Sequence, residues 1–191
     1  MTQFAHSPHF ITLLAAILNA CDAHKITKNV IHENDNVLTF TSYDESYSID
    51  CGKDQKIHIL GAGKASAAMA LAAEHVLGER IHGGIVAVKR GHCHALKKVM
   101  CLEAGHPIPD EESEDAGRRL YEYALHCDVN DIVICMLSGG ASACAVYPFG
   151  DDDNGIHFTL EDKKLLSALL LASGASIDEI NMVRKHFSRI K

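Results

Sequence analysis

Lys64 stands where an apolar strand gives way to an alanine-rich helix, in "IHILGAGKASAAMALAAEHVLG" over residues 57 to 78. Glycines let a backbone approach a ligand, a helix N-terminus offers free N–H groups, and a lysine adds positive charge. Such a turn suits an anion, and the question is which one. A Walker A loop requires G-x-x-x-x-G-K-[ST], but Ala65 follows Gly63-Lys64 and His58 stands in place of the first glycine. The turn is not a P-loop. A dinucleotide fingerprint requires G-x-G-x-x-[GA], and here Gly61 and Gly63 fit while Ser66 misses the last place. The strand that should end in a ribose-binding acid ends in Lys89-Arg90, which at best suits a 2'-phosphate. The plainer alternative is that the glycines serve only a tight strand–helix turn.

Three further stretches carry groups able to do chemistry. "LSGGASAC", residues 137 to 144, frees the backbone at Gly139 and Gly140 and supplies the hydroxyls of Ser138 and Ser142. Cys144 replaces the last glycine of a G-x-S-x-G elbow, so a phosphate or carboxylate nest fits better than a nucleophilic serine. "EAGHPIPDEES", residues 103 to 113, is stiffened by Pro107 and Pro109, which push His106 and Ile108 into extended geometry. Either it is a rigid turn with Asp110 as helix N-cap, or it presents His106 or Asp110 to a site. "EINMVRKHFSRIK" is cationic through Arg184, Lys185, His186, Arg189 and Lys191, a pattern that usually marks a solvated helix face.

These residues need elements to hold them. A first helix is expected over 8–31, buried or amphipathic, then a small hairpin over 36–50 turning at Asp44-Glu45. From residue 57 strands and helices alternate: "KIHIL", the alanine helix closed by Gly78, "GGIVAVK", a short strand near "VMCLEAG", and a helix with carboxylates in its first turn. "DIVICML" reads as a strand buried on both faces, because its apolar run is unbroken. Two capping boxes, Thr159 with Asp162 and Ser176 with Glu179, open the last two helices. The alternation predicts one α/β domain with a mostly parallel sheet and helices on both faces. Both glycine-rich turns then fall at the carboxyl ends of strands, where such sheets place their sites.

Composition narrows the partners. With 18 basic against 25 acidic residues and a net charge of -7, no basic face stands out, which argues against nucleic acid. "FITLLAAILNAC" lacks a positive leader and a cleavage site and is shorter than the ~20 residues of a membrane span, so no anchor or export signal is expected. The seven cysteines are odd in number and form no C-x-x-C, so they read as small buried hydrophobes in a reduced cytoplasm. "GHCH" at 91 to 94 lacks a second half at zinc spacing and reads as polar loop, with no metal expected from the residues.

Taken in order, "GAGKASAAMA", "EAGHPIPDEES", "LSGGASA" and "SGASIDEINMVRKHFSRIK" resemble the type II glycerate kinases, the glycerate 2-kinases or MOFRL family. The resemblance covers residues 57 to 191 well and the first helix loosely. Ala141 and Cys144 depart from the family pattern in a tolerable way. The resemblance implies a Rossmann-like domain with a second domain beyond it, the site in the cleft between, and ATP-dependent phosphorylation of D-glycerate to 2-phosphoglycerate with Mg²⁺. It makes Lys64 the active-site lysine, Ser138, Gly139, Gly140 and Ser142 a phosphate or substrate loop, and Asn181, Arg184, Lys185 and His186 part of a motif near the cleft. The family runs on past "RKHFSRIK" into a glycine-rich segment, so an N-terminal portion, inactive alone and exposed to self-association, is expected. The alternatives are an NADP-dependent hydroxypyruvate reductase, suggested by Gly61, Gly63 and Lys89-Arg90, and a non-catalytic remnant.

Overall fold

The computed structural model describes residues 7–151 and 154–191. Its N-terminal part holds two helices rather than one: α1 (Pro8–Ala20) and α2 (Ala23–Val30). Asp22 makes the break, its carboxylate accepting from the Lys25 N–H as a fresh N-cap, and the two axes differ by 48°. The expected helix over 8–31 is corrected on a second point, since α1 buries none of its residues. No single helix among the described residues is long and apolar enough to cross a membrane.

Residue 31 opens a strand instead of closing a helix. β1 (Ile31–Asn34), β2 (Val37–Ser42) and β3 (Glu45–Asp50) form an antiparallel sheet in that order. The expected hairpin is there with its reversal at Tyr43-Asp44, since Ser42 faces Glu45, and β1 adds a third strand to it.

The main sheet has four parallel strands, β4 (Ile57–Ala62), β5 (Ile81–Lys89), β6 (Val99–Ala104) and β7 (Ile132–Leu137), in the order β6-β5-β4-β7. Helix α3 (Ser66–Leu77) covers one face, its Ala67, Ala70 and Ala73 packing on Ile57, Ile59, Val86, Val88, Ile134 and Met136. Helices α4 (Glu111–Leu125) and α5 (Ala141–Cys144) cover the other, where Ala116, Leu120 and Cys144 meet Ala62, Ile85, Ala87 and Ala104. The fold is therefore α/β with helices on both sides of a parallel sheet.

β7 departs from its expected double burial. Ile134 and Met136 are buried while Val133, Cys135 and Leu137 are open, because β7 is an edge strand whose second face has no helix laid over it. Beyond it come a two-stranded ribbon, β8 (Gly150–Asp151) and β9 (Ile156–His157), then α6 (Leu160–Ala172) and α7 (Ile177–His186). Both expected capping boxes close these last two helices at their starts.

The cysteines are not uniformly buried thiols. Cys93 and Cys101 form a disulfide, because β6 brings Cys101 beside the 90–98 loop with the two Cα atoms 5.9 Å apart. Cys51 and Cys144 are buried, Cys127 is half-buried, and Cys21 and Cys135 are exposed. At the far end of the sheet His58 bridges the Tyr123 hydroxyl at 2.9 Å and the Asp131 carboxylate at 3.0 Å. That pairing gives a structural reason for a histidine where a P-loop would need glycine.

Candidate functional site

The chain leaves β4 at Ala62 and turns through Gly63, Lys64 and Ala65 into α3. This turn is locked to the one after β7. The Ser138 N–H donates to the Ala62 carbonyl at 3.1 Å, and the Lys64 N–H donates to the Gly139 carbonyl at 3.0 Å. The Ala65 N–H donates to Ser138 Oγ at 3.0 Å, and Ser66 Oγ donates to the Met136 carbonyl at 2.8 Å. Gly63 and Ser66 also spend their N–H groups, on the carbonyls of Ala87 and Gly63. The first N–H groups of the turn, which would cradle a phosphate, are thus already used inside the protein. Lys64 offers a side chain, and the backbone beneath it does not form a nest.

Gly61 and Gly63 are sized by the neighbouring strand. A β-carbon on Gly61 would lie 2.5 Å from the Met136 carbonyl oxygen, and one on Gly63 would lie 2.4 Å from that of Ser138. Gly63 also holds φ +121°, a left-handed value that disfavours any side chain. Ser66 is fully buried. The strand–helix reading therefore explains all three, and the dinucleotide reading loses its glycines. Of its two cations, Arg90 pairs with Asp110 at 2.6 Å and with Glu112 at 2.9 Å.

What the two turns bring together is Lys64, the Ser138–Gly140 segment and His106. A β-carbon on Gly140 would come within 2.7 Å of the His106 ring and 3.5 Å of Lys64 Cγ, so these three meet. One on Gly139 would meet only Lys64 Cε, at 3.9 Å, which leaves the top of this turn low and open. Lys64 is exposed, and the imidazole of His92 approaches its carbonyl oxygen at 3.2 Å. The "GHPIP" loop contains a cis His106–Pro107 bond. His106 faces the turn, while Asp110 is the N-cap of α4 in a capping box with Ser113. Burial works to raise the Asp110 carboxyl, but Arg90, Ser113 and the Gly105 N–H outweigh it and hold it down to about 2. Asp110 is a carboxylate committed to structure.

The α7 residues divide. Asn181 and Arg184 turn inward, but Lys185 and His186 are exposed, and the His186 ring is held by the Met182 carbonyl at 2.8 Å. On the inward side lies a cleft of about 700 Å³, bounded by β4, β7, α4, α5 and the last residues of the chain. Ser142 and Arg184 line it, together with Lys191, read from the sequence as part of a solvated cationic face, and Lys163, which sequence reasoning missed. Lys191 Nζ donates to Ser142 Oγ at 2.9 Å and to Asn181 Oδ1 at 3.1 Å. Lys163 is 6 % exposed, and among the described residues its ammonium donates to the Phe187 carbonyl, at 3.5 Å. Burial above all, then Arg184 and Lys191, push that ammonium down to about 8 against a lift from Glu114. One signal was available in the sequence: Lys163 lies three residues after Leu160, on the apolar stripe of α6.

The comparisons with known proteins agree with this architecture. Residues 9–191 match the family model DUF4147, described as a domain of unknown function. A glycerate 2-kinase of Pyrococcus horikoshii is 35% identical over 181 residues, 95% of this chain and 38% of that protein. A putative hydroxypyruvate reductase of Agrobacterium vitis is 41% identical over 133 residues, 70% of this chain and 29% of that protein. The crystal structure of the PH0495 protein of P. horikoshii OT3 superposes with a TM-score of 0.79 at 34% identity, over 95% of this chain and 38% of that one. The chain spans about a third of the length of these relatives. By the match over nearly its whole length, it belongs to the DUF4147 family, among whose relatives are glycerate kinases.

Proposed function

We propose that the protein acts in the ATP-dependent phosphorylation of D-glycerate to 2-phosphoglycerate, as one part of a longer catalytic unit. The observation that carries this reading is the meeting of the Lys64 side chain, the open Gly139-Gly140 turn and the His106 ring at the carboxyl end of the parallel sheet. The names of the relatives supply the acceptor and the reaction class. When bound, ATP supplies the phosphoryl group. Lys64 is the group of this chain that fits it, being an exposed cation above a turn with no side chains to bar approach. Its charge would neutralise the transferring phosphoryl oxygens, the main demand of this chemistry. His106, packed against Gly140, would orient whatever sits on that turn.

Mg²⁺ does not fit these residues by themselves. Among the described residues no group of three or more His, Cys, Asp or Glu is placed to hold a metal ion, and Asp110 is taken by Arg90 and the α4 cap. The chemistry assigned to this chain is therefore that of its cation and its turns. The hydroxypyruvate reductase name of the A. vitis relative finds no support in the Gly61–Gly63 turn, which strand β7 fills.

The test is Lys64→Ala in the complete enzyme, with ADP formation from ATP and D-glycerate as readout. Loss of a stabiliser of transition-state charge should lower turnover by about 100-fold or more. The melting temperature should barely change, because Lys64 is exposed and its N–H bond to Gly139 is a backbone bond. Unchanged turnover would remove Lys64 from the chemistry.

A further inference from the structure

The segment between β5 and β6 runs back along β6, an edge strand, and passes the Lys64 turn on its way. Its two ends are held without any covalent help. At the start, the Arg90 N–H donates to the Ala104 carbonyl at 3.3 Å and the Gly91 N–H to the Glu103 carboxylate at 2.9 Å. At the end, the buried Glu74 carboxylate of α3 accepts from the N–H groups of Lys97, Lys98 and Val99 at distances between 2.7 and 3.0 Å. Between these anchors residues 92–95 are exposed, and Leu96 packs against the core. The His92 and Leu96 N–H groups make only local turns, to Lys89 and His94. Before Leu96, two ties reach the rest of the described molecule: the Cys93–Cys101 disulfide, and the His92 ring on the Lys64 carbonyl at 3.2 Å. A carbonyl only accepts, so His92 Nδ1 is the donor.

Those two ties are neighbours in the chain, so one governs the other. A hydrogen bond from an exposed ring competes with water and does not fix a loop by itself. The disulfide fixes Cys93, and with it the adjacent His92, beside the turn. The fold gains little else from it, since it spans eight positions of a segment whose ends are already bonded, and a small ring removes little chain entropy. Cys93 is exposed, open to a thiolate from solution, while Cys101 is half-buried. We propose that Cys93 and Cys101 form a thiol–disulfide switch, which pins residues 92–96 against the Lys64 turn when oxidised and releases them when reduced. The step balances with two equivalents of a small thiol such as glutathione. One thiolate attacks Cys93 Sγ, and Cys101 leaves as its thiolate. A second attacks the mixed disulfide, frees Cys93 and departs as the small-molecule disulfide. Two electrons pass from the small thiols to the cystine, and their two protons pass to the cysteine thiolates. Glutathione disulfide runs the step backwards. The switch is independent of what the Lys64 turn does, and only its effect on phosphoryl transfer rests on the kinase reading.

The 191-residue chain, equilibrated in glutathione buffers of varied ratio, quenched in acid and alkylated, supplies the first test. Peptide mass spectrometry should find Cys93 linked to Cys101 in excess glutathione disulfide, and both as thiols in excess glutathione. NMR spectra of the two states, taken without ATP or glycerate, should differ at the loop. On reduction the His92 ring nitrogens should lose their fixed Nδ1–H tautomer and move to the averaged position of a free imidazole. Amide exchange at His92 should quicken at least tenfold, while the Lys97, Lys98 and Val99 amides, held by Glu74, stay within twofold. Cys93→Ser should give the reduced pattern in every buffer. Cys135→Ser, which removes an exposed thiol outside the pair, should switch as the parent does. A link that survives excess glutathione would overturn the proposal, as would thiols that never join. So would a His92 ring signal and exchange rate equal in the two states. Loss of protection at Lys97–Val99 on reduction would also overturn it, by making the disulfide a staple of the fold. All of these signals are read without turnover, so an inert Lys64→Ala result would sink the kinase reading and leave the switch standing.

Discussion

Lys163 brings an ammonium group into a wall of the cleft where burial and two neighbouring cations disfavour its charge. In the unfolded chain it titrates near 10.5, and in the folded protein at about 8. Below pH 8 both states carry the proton, so the cost of the buried charge is constant and fully present. Between the two values the unfolded chain binds more protons, and stability rises with pH. Lys163→Met should therefore be more stable than the parent at pH 7, by about 1–3 kcal/mol, with the gap narrowing as pH climbs from 8 towards 10.5. Urea denaturation of both proteins at pH 7 and pH 10 checks this, and a gap that does not narrow would contradict it. Lys64 was legible in the sequence because its glycine neighbours announce a turn. The burial of Lys163 was not, because it depends on residues far along the chain that surround it, and Lys191 read only as one charge of a solvated face. Gly61 and Gly63 show the converse: the motif was visible, but its cause, the carbonyls of Met136 and Ser138, was not.

At the scale of elements, local signals held where the local chain decides the outcome. Thr159, Ser176 and Asp110 cap their helices as their spacing requires. Gly78 closes α3 at φ +49°. Signals failed where tertiary context decides. The apolar run of β7 gave no hint that one face would stay open, because its periodicity is the same for a central and an edge strand. The apolar run through residue 31 hid both the Asp22 cap and the change to a strand. The union of β4 and β7 yields a sharp prediction. Gly63→Ala places a methyl group against the Ser138 carbonyl and strains a left-handed backbone, so it should cost about 2 kcal/mol or more. The urea midpoint should drop with an unchanged slope. A midpoint within error of the parent would mean that the two turns are not packed as described.

For the molecule as a whole, the surface is the unusual part. Phe10, Leu13, Ile17 and Leu18 of α1 are between 44% and 64% exposed, and the apolar helix contains no Asp, Glu, Lys or Arg. The outer edge and one face of β7 are also uncovered. Apolar patches of this kind drive association unless something covers them. The isolated 191-residue chain should therefore show an apparent mass that rises with concentration in light scattering. The double variant Leu14→Glu and Leu18→Glu should lower that mass towards the monomer, and equal masses would clear α1 of the role. The α/β class was readable from the alternation of strands and helices, and the family from four ordered motifs. The exposed helix was not, since an apolar segment of that length reads as a core helix until its neighbours are known.

The bond between the Ala65 N–H and Ser138 Oγ joins residues 73 positions apart, and it sets the order in which the molecule can be assembled. During synthesis Lys64 leaves the ribosome with its glycines, and Ala87 can take the Gly63 N–H early, yet the Lys64 and Ala65 N–H groups lack their partners until Ser138 and Gly139 have followed β7. A nascent chain with α3 already formed would still carry a slack loop at Lys64. Long closures of this sort are made slowly, because their entropy is lost before the contacts repay it. The turn that proposes a chemistry is therefore among the last parts of the sheet to become rigid, and a chain interrupted before Ser138 would have the lysine without its place.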